Sequence, residues 1–314
     1  MEKTTQIEKP AQMDGTGKTE RITSNIKDTA LIFEGGGMRG SYTAGFLVNL
    51  LENHIYMDYV AGISAGASHS VNYLSRDIER AKRSFVDLVL DPEFGGWKSF
   101  FRGQGFFRAD YIYEQTPVDG GALPFDFETF TKNEAQLRIG AFNRDKGEFV
   151  VFRKEDIHEM RDLMKIVRAS SSMPIFMPPT HYDGQVLVDG GIGPGGGIAL
   201  DIAKRDGMKK FFVVLTREKG YIKSPPKYGG FVKAYYRKYP EVVEAMVQRH
   251  ATYNQTLEEL QQLESEGKAY LVYPEVMPIS SRETDYKKLA GSYLLGYAQG
   301  KRDIEKWKAF LEVE

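Results

Sequence analysis

Ser64 is the residue best placed for nucleophilic chemistry in this 314-residue chain. It stands in Gly62-Ile63-Ser64-Ala65-Gly66, a G-x-S-x-G pattern between a short apolar run and a run of small residues. A sharp strand-to-helix turn presses together the residues two before and two after the serine, and glycine at both places relieves the crowding. The serine then stands at a helix N-terminus, where the local field favours negative charge developing on Oγ. An alcohol nucleophile needs a base. Val186-Leu187-Val188-Asp189-Gly190-Gly191 ends an apolar run on a carboxylate, where α/β folds gather their ligands. An Asp-Gly pair by itself is an ordinary turn; beside a serine needing a base, Asp189 becomes the candidate. A free aspartate of pKa about 3.9 is a weak base, and burial among residues 186–188 would raise it.

The third cluster is Glu34-Gly35-Gly36-Gly37-Met38-Arg39-Gly40. Consecutive glycines let backbone N–H groups converge on an anion with no side chain in the way. A diphosphate and a tetrahedral oxyanion make similar demands. The loop therefore fits a G-x-G-x-x-G dinucleotide site, with Asp58 about where a ribose-binding acid would fall. It equally fits an oxyanion hole. A Ser–Asp–His triad is formally open, because Ser64, Asp189 and His250 stand in α/β-hydrolase order. Against it, the nucleophile follows a single strand–helix unit, and His250 falls mid-helix. A non-catalytic lipid binder with a decayed site is a further alternative, although both dyad residues are present.

The elements that must position these groups are legible as strand–turn–helix units. Apolar patterning predicts strands over 29–33, 59–63, 137–142, 148–152, 185–188 and 210–215, with helices over 41–54, 64–73 and 156–169. The run Phe211-Phe212-Val213-Val214-Leu215 is apolar without alternation, as in a central parallel strand. Beyond residue 222 a long helix is expected over 240–264, a short strand over 269–273, and a final helical region opened by a Ser280-x-x-Glu283 capping box. The expected organisation is a disordered polar tail at 1–28, a main domain at 29–222 and an α-rich extension at 223–314.

Lys and Arg number 42 against 43 Asp and Glu, and this balance argues against a dedicated nucleic-acid binder. The absence of cysteine excludes thiolate nucleophiles, disulfides and Cys-ligated metals. His54, His69, His158, His181 and His250 form no close ligand pair, and no Asp-rich Ca²⁺ loop occurs, so neither metal nor cofactor is expected. Residues 1–28 lack the apolar core of a secretory signal, and no run of about 18 apolar residues could span a membrane. A cytoplasmic protein is expected. Residues 94–113 carry eight aromatics among Lys98, Arg102 and Arg108, and residues 219–239 six Lys or Arg, six aromatics and no acid. Such segments suit a peripheral membrane contact, a lid over an acyl cleft, or plain core packing.

In this order, the three clusters resemble the signatures of the patatin-like phospholipase family. Ala169-Ser170-x-x-Met173-Pro174 and Pro178-Pro179 are similar to that family's pattern as well, and the likeness covers roughly residues 30–215. It implies a three-layer α/β fold with a mostly parallel central sheet between helices, and a mainly helical C-terminal extension like that of bacterial members. It also implies a serine lipid acyl hydrolase, a phospholipase or esterase, working through a Ser64–Asp189 dyad without histidine, metal or cofactor. Backbone N–H groups of Gly35, Gly36, Gly37 and Met38 would form the oxyanion hole. Gly40, Gly62, Gly66, Gly190 and Gly191 support the motifs, and Arg39 either orients the loop or the substrate head group or has a plain surface or salt-bridged role. The substrate implied is a lipid or other acyl ester. Gly193-Pro194-Gly195-Gly196-Gly197 departs from the family in its density of glycine.

Overall fold

In strand β1 (Ile26–Phe33), Leu31 and Phe33 face one side, Ala30 and Ile32 face the other, and all four are buried. The strand is therefore covered on both faces, and a layer of helices must lie on each. The protein is described by a computed structural model over residues 21–226 and 230–314. Most of the expected tail, residues 1–20, lies outside the described residues, as do 227–229 of the basic segment. At its end Ile22 already bridges Asn133, and β1 starts three residues before the expected strand.

The other strands are β2 (Met57–Ile63), β3 (Gln136–Asn143), β4 (Glu148–Arg153), β5 (Thr180–Tyr182), β6 (Gln185–Asp189), β7 (Lys210–Val214) and β8 (Ala269–Val272). They form one sheet in the order β5-β6-β3-β2-β1-β7-β8, with β4 also paired to β3. The run β3-β2-β1-β7-β8 is parallel, whereas β4, β5 and β6 are antiparallel to their neighbours. The helices are α1 (Gly40–Glu52), α2 (Ala65–Leu74), α3 (Ile78–Arg83), α4 (Trp97–Phe101), α5 (Phe127–Lys132), α6 (Met160–Ser171), α7 (Leu200–Arg205), α8 (Gly230–Tyr235), α9 (Pro240–Ser265) and α10 (Tyr286–Leu311). Phe46 of α1, Val71 of α2, Leu163 of α6 and Trp307 of α10 cover one face of the sheet. Leu200 of α7 and Leu257 of α9 cover the other. The fold is the expected three-layer α/β arrangement with a mainly helical C-terminal region.

Three local expectations change. Helix α6 begins at Met160 rather than near 156, because Asp162 caps it by accepting from the N–H of Glu159, while residues 154–156 form a separate turn. The pair Ser280 and Glu283 does not open α10. Asp285 caps that helix through the N–H of Lys288, and Glu283 instead accepts from Thr284 and Asp285. Strand β5 is new: Asp183 and Gly184, both at positive φ, turn it into β6 as a two-residue hairpin. Strand β8 hydrogen-bonds to β7, so the C-terminal region also contributes to the sheet.

Strand β3 acts as the ruler for the site. Ile63, the last residue of β2, pairs with Gly140, and β6 takes over beside β3 with Asp189 opposite Ala141. The chain leaves β2 at Ser64, and β6 delivers Asp189 one step further along the same strand. Residues far apart in sequence meet because both read their position from β3.

Candidate active site

Ser64 occupies the sharp turn between β2 and α2 with φ +58° and ψ −124°, a conformation that a residue bearing Cβ rarely adopts. A Cβ at Gly62 would lie 2.2 Å from the carbonyl oxygen of Gly66, and one at Gly66 would lie 2.0 Å from that of Phe33. Both glycines are required by crowding, Gly62 across the turn itself and Gly66 against β1. Ser170 holds the turn: its Oγ accepts from the Ser64 N–H at 2.8 Å and donates to the Gly140 carbonyl at 2.6 Å.

Ser64 Oγ donates to Asp189 Oδ2 at 2.8 Å, and Asp189 Oδ1 accepts from the Gly191 N–H at 2.7 Å. The Asp189 N–H donates to the Ser172 carbonyl, which fixes the carboxylate from behind. Burial pushes Asp189 above the usual aspartate range, while Arg249, the Gly191 N–H and Ser64 oppose that rise. The result is a stronger base than a free carboxylate that still has groups stabilising its ionised form.

In the glycine loop, the Gly35 N–H donates to the Gly197 carbonyl and the Met38 N–H to the Ser281 carbonyl. Two of the four expected oxyanion donors are therefore engaged within the protein. Among the described residues, the N–H groups of Gly36 and Gly37 have no acceptor. Gly37 is required twice over, by its φ of +57° and because a Cβ there would lie 2.4 Å from Ser281 O. Arg39 is buried, not surface-paired. Burial, with Arg217 next, lowers it to about 10 against the pull of Glu34, and its Nε has no partner. Gly40 lies against the Phe85 ring, and Gly190 against the Gly140 carbonyl.

Two cavities meet at Ser64. One is mainly apolar, with Met38, Val71, Phe85, Leu88, Phe107 and Met164 in its wall beside Arg80. The other holds Asp189 with Arg39, Arg217, Lys223, Arg249 and Arg282. None of the five histidines lines either cavity. His69 is fully buried against Phe33 and Phe85 and is pushed down to about 3 by burial, so it is neutral. His250 Nδ1 bonds the Val247 carbonyl within its own helix, and His181 lies near Tyr182 and Asp183. The triad alternative thus lacks its base. Asp58, near the start of β2, is at the opposite end of that strand from the glycine loop, which removes the ribose-binding acid of the dinucleotide alternative. The aromatic segment divides: Phe94, Phe106 and Phe107 are buried, whereas Trp97 is 55% and Phe101 80% exposed.

Residues 31–198 match the family described as patatin-like phospholipase. The chain belongs to that family. Residues 239–312 match a second family, described as a domain of unknown function (DUF6363). The uncharacterized protein YjjU of Escherichia coli is 25% identical over 60% of this chain and 51% of its own length. Lysophospholipase NTE1 of Meyerozyma guilliermondii is 24% identical over 92% of this chain and 20% of its own. The uncharacterized NTE family protein MT2641 of Mycobacterium tuberculosis is 26% identical over 58% and 29%. The chain therefore spans about half or less of the length of these relatives. The crystal structure of VipD from Legionella pneumophila superposes with a TM-score of 0.48 at 14% identity, covering 94% of this chain and 72% of that one.

The patatin-like frame also contains residues that the motifs alone do not disclose. Ser170 lies inside a recognised motif, yet its bond to the elbow depends on a strand partner remote in sequence. Arg249 had a signal. Val242, Met246, Tyr253, Leu257 and Leu260 form the buried stripe of α9, and Arg249 interrupts it at helical spacing. A cation on an apolar stripe has a local purpose, here a place beside Asp189 and a bond from Nε to the Gly196 carbonyl. Ser281 carried no pattern, because its contribution is a backbone carbonyl.

Proposed function

We propose that this protein is a serine lipid acyl hydrolase acting through Ser64 and Asp189. The observation that carries the reading is the 2.8 Å bond from Ser64 Oγ to a buried carboxylate at the junction of an apolar and a polar cavity. Ser64 Oγ attacks the ester carbonyl as its proton passes to Asp189. The oxyanion faces the free N–H groups of Gly36 and Gly37, aided by the field at the start of α1. The bond to the alcohol breaks, and Asp189 returns the proton to the leaving oxygen. Water then attacks the acyl-serine, giving its proton to Asp189, which restores it to Ser64 Oγ. The sum is ester plus water to acid plus alcohol.

The family assignment and the lysophospholipase relative support a lipid as the substrate. We take residues 29–222 as the catalytic unit, with the extension at 223–314 contributing Lys223, Arg249 and Ser281 around its site. Exposed Trp97 and Phe101, next to Lys98 and Arg102, are the proposed point of contact with a bilayer surface; no helix among the described residues is long and apolar enough to cross one. The test is fluorophosphonate labelling together with fatty-acid release from a single-chain lipid ester. Both are expected in the wild type and absent in Ser64→Ala. Labelling or turnover that persists in Ser64→Ala refutes the assignment.

A further inference from the structure

The cavity on the far side of Ser64 from the apolar cleft has an unusual charge inventory. Arg39, Arg217, Lys223, Arg249 and Arg282 line it, and Asp189 is the single carboxylate in its wall. Among the described residues none of the five cations makes an ion pair with a carboxylate. The buried Nε atoms of Arg39 and Arg217 have no hydrogen-bond partner at all. Asp189 and buried Glu34 offset two of the five charges; the remaining like charges in a partly buried cavity repel one another and lose hydration, a cost that an anionic ligand relieves. The cations come from four separate parts of the chain: the glycine loop, the segment after β7, α9 and the turn before α10. Helix periodicity or a basic tract therefore does not account for their meeting.

Ser64 and Gly37 line both cavities, so an ester whose carbonyl sits at Ser64 has one way to lie. Its acyl chain enters the apolar cleft and its alcohol portion enters the cationic one. We propose that the preferred substrate is a single-chain acyl ester whose alcohol carries a phosphate-type anion with no compensating cation, held by Arg217, Lys223, Arg249 and Arg282. This deepens the hydrolase reading and rests on it. The state of Lys223 fits: burial, with Arg249, Arg39 and Arg217 nearby, lowers it to about 7 against the pull of Glu34, while its ammonium lies 4.2 Å from the centre of the Tyr253 ring. An anion arriving beside it would restore its full charge.

The experiment compares kcat/KM for 1-lauroyl-glycerol-3-phosphate, 1-lauroyl-glycerophosphocholine and 1-lauroyl-glycerol as monomers, with fluorophosphonate labelling of Ser64 followed in parallel. The phosphate monoester is expected to be preferred over both others by at least about tenfold, the worth of one charge-assisted contact. Arg217→Gln and Lys223→Met, both away from the Ser64–Asp189 pair, are each expected to cut the ratio of anionic to neutral ester about tenfold. The wild-type comparison stands even where a variant fails to fold. Equal turnover of the three esters, or labelling of Ser64 without hydrolysis of the phosphate ester, overturns this inference and leaves the hydrolase reading intact. Absence of both labelling and hydrolysis overturns the two together. Inorganic phosphate is added as a separate arm. If it competes as strongly as the lauroyl phosphate ester, the cavity is a site for the free anion, and the head-group assignment falls.

Discussion

Replacing Ser170 with Ala tests whether the elbow is held by one buried hydroxyl. Ser170 is fully buried, and its Oγ bridges the Ser64 N–H and the Gly140 carbonyl. The carbonyl is an acceptor with two lone pairs, but the amide has a single proton and no other acceptor, so the variant buries an orphaned donor. That costs about 1–3 kcal/mol, and the lost bonding of the hydroxyl adds about 0.5–1.5 kcal/mol, a total of roughly 1.5–4.5 kcal/mol. At about 2–4 °C per kcal/mol for a domain of this size, Tm falls by about 3–18 °C. The larger consequence is local. Ser64 sits in a sparsely populated conformation that persists because its surroundings over-determine it, and Ser170 is one of those constraints. Relaxation of the turn takes Oγ off Asp189, and kcat falls about tenfold to a hundredfold for a loss of roughly 1.4–2.8 kcal/mol in the transition state. Ser170 lines neither cavity, so KM stays near its wild-type value. Steady-state kinetics and thermal melts read both effects, and the rate of fluorophosphonate labelling separates slow chemistry from lost protein. Wild-type kcat with a lowered Tm would mean that the hydroxyl is structural alone, and unchanged values of both would refute the argument.

Asp189→Asn is expected to lower kcat by about 10²–10⁴. Because burial raises Asp189, the acid limb of the kcat/KM profile lies above the ordinary aspartate range, and Arg249→Met, which removes an opposing cation, moves that limb to higher pH. A limb that stays in place in Arg249→Met would show that another group titrates. Gly37→Ala adds left-handed strain and a Cβ 2.4 Å from Ser281 O, so turnover is expected to fall by more than about tenfold with far-UV circular dichroism unchanged. Wild-type labelling kinetics in that variant would exclude the loop from the site. Lys223→Met should stabilise the fold by about 1–3 kcal/mol at pH 6, an amount discounted for partial exposure. Lys223 is lowered to about 7 when folded, so its burial disfavours the fold fully below that pH and progressively less towards the unfolded value near 10. The Tm gain should therefore fade between about pH 7 and pH 10, and a gain independent of pH would point to packing instead.

How much of this was legible in the sequence follows from the range of each interaction. The elbow was readable because one of its constraints is local: Gly62 crowds Gly66 across the turn that carries Ser64, and that spacing is printed in the chain, whereas Gly66 is required by Phe33 of β1. Asp189 was readable as a candidate because a strand ending in a carboxylate and glycine has a local form, but its partner was not. The Ser64–Asp189 bond spans 125 positions and the Ser64–Ser170 bond 106, and both depend on where β2 stops and β6 begins along β3, a register that no local pattern encodes. The same limit applies to charge. A chain of net charge −1 conceals five cations around one cavity, because Arg39 of the glycine motif, Lys223 of the basic segment, and Arg217, Arg249 and Arg282 stand on stretches that no local pattern joins. Arg249 carried a further signal, because it breaks an apolar helical stripe. Motifs thus disclose the candidate reacting atoms, where geometry is set within a few residues. The residues proposed to choose among substrates lie on different elements and become a group only through the sheet order, so family membership constrains the proposed chemistry of Ser64 far more tightly than it constrains the head group.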